Sequence, residues 1–141
     1  MTTDEVKAWL RSYRWLQAEI DRTEEEIEQW RARAARLTQS FSGMPSGSGS
    51  SDQIPNAVEK IAELEERLQH KVTELVQTRK DIEAAIEKLP DKQQRILRYR
   101  YIDQLTWEMV AVKVHYDYRW VIRIHGNALQ QLSNLTIERH T

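Results

Sequence analysis

The sequence contains no cysteine, one phenylalanine, three prolines and four glycines among its 141 residues. Without cysteine the chain has no disulfide framework, thiolate zinc site or cysteine nucleophile, and such a composition fits a reducing compartment. No apolar run approaches the roughly 20 residues of a membrane span. The first ten residues carry acids instead of the basic and apolar blocks of a secretory signal. We therefore expect a cytoplasmic protein with no membrane partner.

Neither sign of charge dominates the chain, since 21 basic side chains stand against 22 acidic ones and leave a net charge of −1. The charges are divided unevenly, with nets of −1, −3 and +3 over residues 1–51, 52–90 and 91–141. A surface for nucleic acid would therefore be local and would lie in the basic C-terminal third.

Two apolar seams predict two long helices. The first seam predicts a helix over 4–37 with Thr23 as its polar interruption, and the second predicts a helix over 53–89 with Lys71 and Thr78 as polar exceptions. The first comprises Val6, Trp9, Tyr13, Leu16, Ile20, Ile27, Trp30, Ala34 and Leu37, and the second Ile54, Ala57, Ile61, Leu64, Leu68, Leu75, Ile82, Ala85 and Leu89. We interpret their aromatic residues as core-packing side chains.

A loop over 40–52, rich in glycine and serine and containing Pro45, separates the two seams. This composition predicts a flexible joint. The loop also lacks the lysine of a phosphate-binding loop, so it does not match that motif. Residues 1–90 would then form a long antiparallel helical hairpin of coiled-coil type that serves oligomerisation. Leu10 and Trp15 lie off the first seam, so we also expect packing on the C-terminal residues or on a second chain. We favour a homodimer.

Residues 91–141 predict three shorter helices. The first begins near Asp91, ends near Ile102 and buries Ile96 and Leu97. The second covers 107–114 behind a Thr106 cap, and a turn at His115 and Tyr116 follows it. The third follows an Asp117 cap and buries Val121, Ile124, Ala128, Leu129 and Leu132. A helix, a three-residue turn and a helix match the helix-turn-helix pattern, so we expect residues 91–141 to form a DNA-binding domain of this type.

Three stretches in this third resemble region 4 of bacterial sigma factors: Leu97-Arg-Tyr-Arg-Tyr101, Thr106-Trp-Glu-Met-Val110 and Val121-Ile-Arg-Ile-His-Gly-Asn-Ala-Leu129. With its long N-terminal helices and Met-Pro-containing loop, the whole chain resembles the ArpU-type transcriptional regulators of phages and prophages. The fold class expected is therefore all-α, a helical hairpin followed by a sigma region 4-like module.

The resemblance implies a recognition helix over about 117–132 that lies in the major groove of double-stranded DNA. Its base-reading positions are Tyr118, Arg119, Ile122 and Arg123. The two arginines suit bidentate contacts with guanine, and Tyr118 suits a thymine methyl or a phosphate. Sigma factors usually carry a long polar residue at the position of Ile122, so the resemblance does not imply that the DNA sequence read is the ordinary sigma element. They usually carry glycine in the turn at the position of His115, which here must adopt or avoid a positive φ.

Contacts with DNA phosphates are expected from six side chains: Arg95, Arg98, Arg100, Thr106, Lys113 and Asn127. The alternative interpretation of these arginines is that they only solvate a helical face.

No pattern in the sequence indicates an enzyme. The four histidines lack the spacing of a metal site and no serine lies in a nucleophile elbow. We expect no cofactor, metal or small-molecule substrate. The hypothesis is a sequence-specific transcriptional regulator, with two alternatives: a sigma-like module that binds RNA polymerase, and a DNA-packaging component of the small-terminase type.

Overall fold

The computed structural model describes residues 1–42 and 53–139, and every regular element in those two ranges is helical, as the sequence predicts. These described ranges contain five α-helices and one π-helical turn: α1 (Thr3–Ser42), α2 (Gln53–Ile86), α3 (Asp91–Leu97), the π turn (Arg98–Ile102), α4 (Trp107–Val114) and α5 (Tyr118–Arg139). Within the described ranges, no helix is long and apolar enough to cross a membrane.

The long helices differ from their predicted bounds at their C-terminal ends. α1 continues to Ser42, so residues 40–42 are helical although their composition placed them in the loop. The rest of that predicted loop, residues 43–52, lies outside the described residues. α2 ends at Ile86, three residues early, because the last turn tightens: the N–H of Leu89 donates to the Ile86 carbonyl at 3.0 Å. Pro90 disfavours the α conformation for Leu89.

One compact unit comprises Gln17–Glu74. Its buried apolar side chains continue both predicted seams: Ile20, Ile27, Ala57 and Leu64. Two ion pairs join α1 to α2 within this unit, Arg31 to Glu65 at 2.7 Å and Glu19 to Lys71 at 2.9 Å. A later residue of α1 pairs with an earlier residue of α2, so the two helices run in opposite directions here.

Two of the polar residues in the seams, Thr23 and Lys71, meet in this unit. The Lys71 ammonium donates to Glu19 and lies 3.4 Å from the hydroxyl of Thr23, which is itself buried. Thr23 also donates to the Glu19 carbonyl at 2.8 Å. A polar pair inside an apolar seam favours one alignment of the two helices over shifted ones.

The second compact unit comprises Met1–Leu16 and Leu75–Thr141. Its larger apolar cluster draws residues from α1, α2, the C-terminal helices and the π turn: Val6, Leu10, Tyr13, Ile82, Ile86, Leu89, Leu97, Tyr101, Ala128, Leu129 and Leu132. Leu10, which lies off the predicted seam, is fully buried in this cluster, whereas Trp15 is 64% exposed. The first helical turns of the chain therefore contribute to the core that supports the C-terminal helices.

A smaller cluster in the same unit holds α3, α4 and α5 together. It consists of Ile96, Val110, Val114, Val121 and Ile124, all buried. α5 packs against both α3 and α4. This packing fixes which face of α5 remains exposed.

Candidate nucleic-acid interface

The first turn of α5 is fixed by the side chain of Asp117. Its carboxylate accepts hydrogen bonds from the backbone N–H groups of Arg119 at 2.7 Å and Trp120 at 3.3 Å. Those N–H groups have no acceptor within the helix. The negative charge of the Asp117 carboxylate is also stabilised by the positive end of the helix dipole. The predicted cap at Asp117 is confirmed, and it sets where α5 begins.

One face of α5 is buried from Val121 to Leu132. It consists of the five residues predicted to point into the core: Val121, Ile124, Ala128, Leu129 and Leu132. The other face is open. All four side chains predicted to read bases lie on it: Tyr118, Arg119, Ile122 and Arg123. Tyr118 and Ile122 are four residues apart, as are Arg119 and Arg123, so the members of each pair are neighbours on the helix surface. Tyr118 is 48% exposed and Ile122 36% exposed, so α5 presents a broad surface to an external partner.

Trp120 extends this surface, and the sequence patterns gave it no role. Its indole is 45% exposed, and the Arg123 guanidinium carbon lies 5.9 Å from the ring centroid. An aromatic face near a guanidinium restrains the orientation of that group. The sequence did carry a signal for this contact: Trp120 and Arg123 are three residues apart, and side chains at that spacing are neighbours on a helix surface.

α4 and the turn before α5 are held by local hydrogen bonds. The hydroxyl of Thr106 accepts from the N–H of Met109 at 3.2 Å, which confirms the predicted cap of α4. His115 ends α4 in the left-handed conformation with φ 62° and ψ 38°, at the position where glycine is usual. The N–H of Tyr116 then donates to the Ala111 carbonyl at 3.2 Å. Residues 115–117 thus join α4 to α5 in a short, hydrogen-bonded turn.

The six side chains predicted to contact phosphates lie on four different elements. Arg95 is on α3, Arg98 and Arg100 are on the π turn, Thr106 caps α4, Lys113 is in the last turn of α4, and Asn127 is on α5. Arg95, Thr106, Lys113 and Asn127 are exposed, and the other two are half-buried.

Arg100 already has partners within the fold. Its guanidinium donates to the Leu105 carbonyl at 2.9 Å, and its central carbon lies 4.6 Å from the centroid of the Trp107 ring. These contacts tie the π turn to the start of α4. Arg100 therefore has a structural role besides any contact with phosphate.

A buried polar pair lies beneath these groups. The Tyr101 hydroxyl and Nε2 of His125 are 2.7 Å apart, and the Trp107 ring meets the His125 ring edge-on with centroids 4.5 Å apart. Burial, reinforced by the charges of Lys7, Arg100 and Arg11, lowers the pKa of His125 to about 4. Burial raises the pKa of Tyr101. At neutral pH both side chains are uncharged.

His125 was not singled out from the sequence as a buried residue. Its signal was present, since it lies four residues after Val121 and four before Leu129, on the buried side of α5. Within the described part of the chain, no three histidine, aspartate or glutamate side chains come close enough to hold a metal ion.

The model of one protein family matches residues 3–134, and that family is described as "Protein of unknown function (DUF722)". Nothing among the curated proteins or the solved structures matches the chain.

Proposed function

We propose that this chain, which belongs to the DUF722 family, is a sequence-specific DNA-binding transcriptional regulator of the phage and prophage type. The observation that carries the proposal is the open face of α5. Two arginines, an isoleucine and a tyrosine, the residues that the sequence predicts to read bases, are all exposed at the start of a helix whose other face is buried.

In this proposal α4, residues 115–117 and α5 act as a helix-turn-helix. The major groove of B-DNA is about 12 Å wide, which matches the 10–12 Å diameter of an α-helix with its side chains. With the first turns of α5 in the groove, Arg119 and Arg123 would donate two hydrogen bonds each to the O6 and N7 atoms of guanine. Trp120 would restrain Arg123, which lowers the entropy lost when the guanidinium binds.

Affinity in this proposal comes from the basic C-terminal third. Residues 91–141 have a net charge of +3, and the phosphate contacts lie on the helices around α5. Such contacts orient the protein on the duplex without reading its sequence. About five or six of them would make the logarithm of the binding constant fall with the logarithm of the salt concentration at a slope of about −5.

The remaining part of the proposal concerns α1 and α2. Within Gln17–Glu74 their ion pairs connect helices that run in opposite directions. We propose that the two helices form an antiparallel hairpin of coiled-coil type and that a homodimer presents two DNA-reading modules. Non-enzymatic regulation requires no cofactor.

The experiment that tests the DNA-reading role selects duplexes from a genomic pool at two salt concentrations. It compares the parent with the Arg119→Ala/Arg123→Ala variant. We expect the parent to enrich one motif and the variant to lose it, with Arg123→Ala alone costing about 1–3 kcal/mol at that motif and relaxing the preference for one base.

The matched control is Arg14→Ala/Arg36→Ala, which removes two exposed arginines from α1 and gives the same net charge. It should retain the motif. If both double variants weaken binding alike on every duplex, Arg119 and Arg123 contribute only charge and the base-reading role is wrong.

The alternative partner is RNA polymerase, and one observation favours it. Met109 and Val112 on α4 are exposed apolar side chains about one turn apart, 47% and 69% accessible. Such a pair fits a surface that binds another protein. A complex retained with the polymerase core, together with no enriched DNA, would favour this alternative over the regulator.

A further inference from the structure

α5 contains a glycine that the fold does not require. Gly126 lies inside this 22-residue helix, well away from both ends. Glycine is the least favourable residue after proline in the interior of a helix, because it loses the most backbone freedom on folding. A glycine at such a position needs a reason, either inside the protein or outside it.

The usual internal reasons for glycine do not apply at Gly126. Its φ is not positive, so the backbone conformation is open to any residue. A Cβ built on Gly126 would meet no atom within 4 Å, so no neighbouring helix needs to approach here. The residue is exposed. An alanine would therefore fit without strain and would favour the helix.

The position of Gly126 points to an external reason. It follows Arg123 by three residues, Ile122 by four and Arg119 by seven, and these spacings place all four residues on one side of α5. Gly126 thus leaves the helix backbone bare next to the two arginines proposed to read bases. A glycine allows the closest approach of a partner to the backbone.

We propose that Gly126 is a positioning residue for duplex DNA: its missing side chain lets the wall of the major groove contact the α5 backbone and sets how deeply Arg119 and Arg123 enter the groove. This inference rests on the proposed DNA-reading function. A side chain at residue 126 would hold the helix away from the groove, so the arginines would fall short of the base edges while contacts with phosphates, which tolerate distance better, would weaken less.

The experiment compares the parent with Gly126→Ala and Gly126→Leu. It measures the thermal midpoint of each protein and its dissociation constant for the enriched motif and for a shuffled duplex of the same length. We expect Gly126→Ala to raise the midpoint, since the helix gains a better former, and to weaken motif binding about tenfold, equivalent to 1.4 kcal/mol. Gly126→Leu should weaken it further, and the shuffled duplex should be less affected by both variants.

The matched control is Gln131→Ala, an exposed position of α5 outside this row. It should leave motif binding unchanged. A role confined to folding would move the thermal midpoint without moving motif binding, so motif binding equal to that of the parent in Gly126→Ala overturns the inference while the DNA-reading function stands. A lowered midpoint also overturns it, because the fold would then need the glycine. If the parent itself enriches no motif, the proposed function is wrong and this inference is wrong with it.

Discussion

His125 is a polar residue at a buried point where α5, α4 and the π turn meet. Its ring accepts or donates one hydrogen bond with Tyr101 and packs edge-on against Trp107, whose other partner is Arg100. A neutral imidazole satisfies these contacts, whereas a protonated ring would add a charge to a site where Lys7 and Arg11 already contribute positive potential. The exposed face of α5 thus lies over a core that depends on an uncharged histidine.

This dependence predicts a pH-sensitive stability. The pKa of His125 is about 4 in the fold against an ordinary 6.5, so between these values the unfolded chain takes up a proton that the folded chain does not. The contribution of the neutral His125 ring to the free energy of unfolding is fully present above pH 6.5. It is lost as the pH falls towards 4, by up to about 3 kcal/mol. Urea unfolding of the parent and of His125→Gln at pH 4.5, 5.5 and 7 should show that the variant loses less stability on acidification. The control variant His70→Gln changes an exposed position of α2 and should lose as much stability on acidification as the parent. If His125→Gln also loses as much as the parent, the assignment is wrong.

The elements differ in how far the sequence could predict them. The bounds of α4, the buried face of α5 and the caps at Thr106 and Asp117 all follow from signals within a few residues, and they are confirmed. The ends of α1 and α2 were predicted wrongly. α1 runs to Ser42 because a stretch rich in serine does not fix the residue at which a helix ends, and α2 stops at Ile86 because its last turn tightens before Pro90. The π turn was missed, since no residue type within 98–102 demands one. The contacts of His125 were missed because they join α5 to residues of the π turn and α4. Those of Arg100 reach only to Leu105 and Trp107, but they depend on how the chain turns between the π turn and α4, which no sequence pattern indicated.

The left-handed residue at the end of α4 gives a prediction for this element. His115 has φ 62°, a region that costs a residue with a side chain about 1–2 kcal/mol and costs glycine almost nothing. Part of this gain is lost because glycine is more flexible in the unfolded chain. His115→Gly should therefore raise the free energy of unfolding by about 0.5–1 kcal/mol, and His115→Val should lower it, in urea titrations with an unchanged slope. A Gly variant less stable than the parent would mean that the His115 side chain makes a contact worth more than the strain.

On the scale of the whole molecule, the helices predicted to serve oligomerisation also complete the core of the C-terminal residues. The compact unit that contains α3, α4 and α5 includes Met1–Leu16, and Ser133 donates a hydrogen bond to the Met1 carbonyl. Composition and periodicity divided the chain at residue 90, and neither can report contacts between residues over a hundred positions apart. The off-seam positions of Leu10 and Trp15 did predict packing on the C-terminal residues or on a second chain. Leu10 confirms the first of these, since it is buried with Ala128 and Leu129, whereas Trp15 is exposed.

The proposed homodimer is tested by mass and by DNA spacing together. Light scattering should give twice the chain mass of 16.7 kDa. The enriched motif should occur as two half-sites, and inserting about 5 base pairs between them should weaken binding because the second half-site turns to the other side of the duplex. A monomeric mass would contradict the dimer. A ring of about eight chains or more would favour the DNA-packaging alternative.

The π turn also has a consequence for how the chain compares with its relatives. The backbone N–H of Asp103, which follows the turn, donates a hydrogen bond to the carbonyl of Arg98, five residues earlier, at 2.9 Å. An α-helical N–H donates to the carbonyl four residues earlier, so the π turn holds one residue more. A single inserted residue is accommodated in a helix in this way. A family member one residue shorter here would keep a regular helix, and a different side chain would face the position of His125. Such a relative would lose the bond between Tyr101 and His125 even if it kept a tyrosine in this segment.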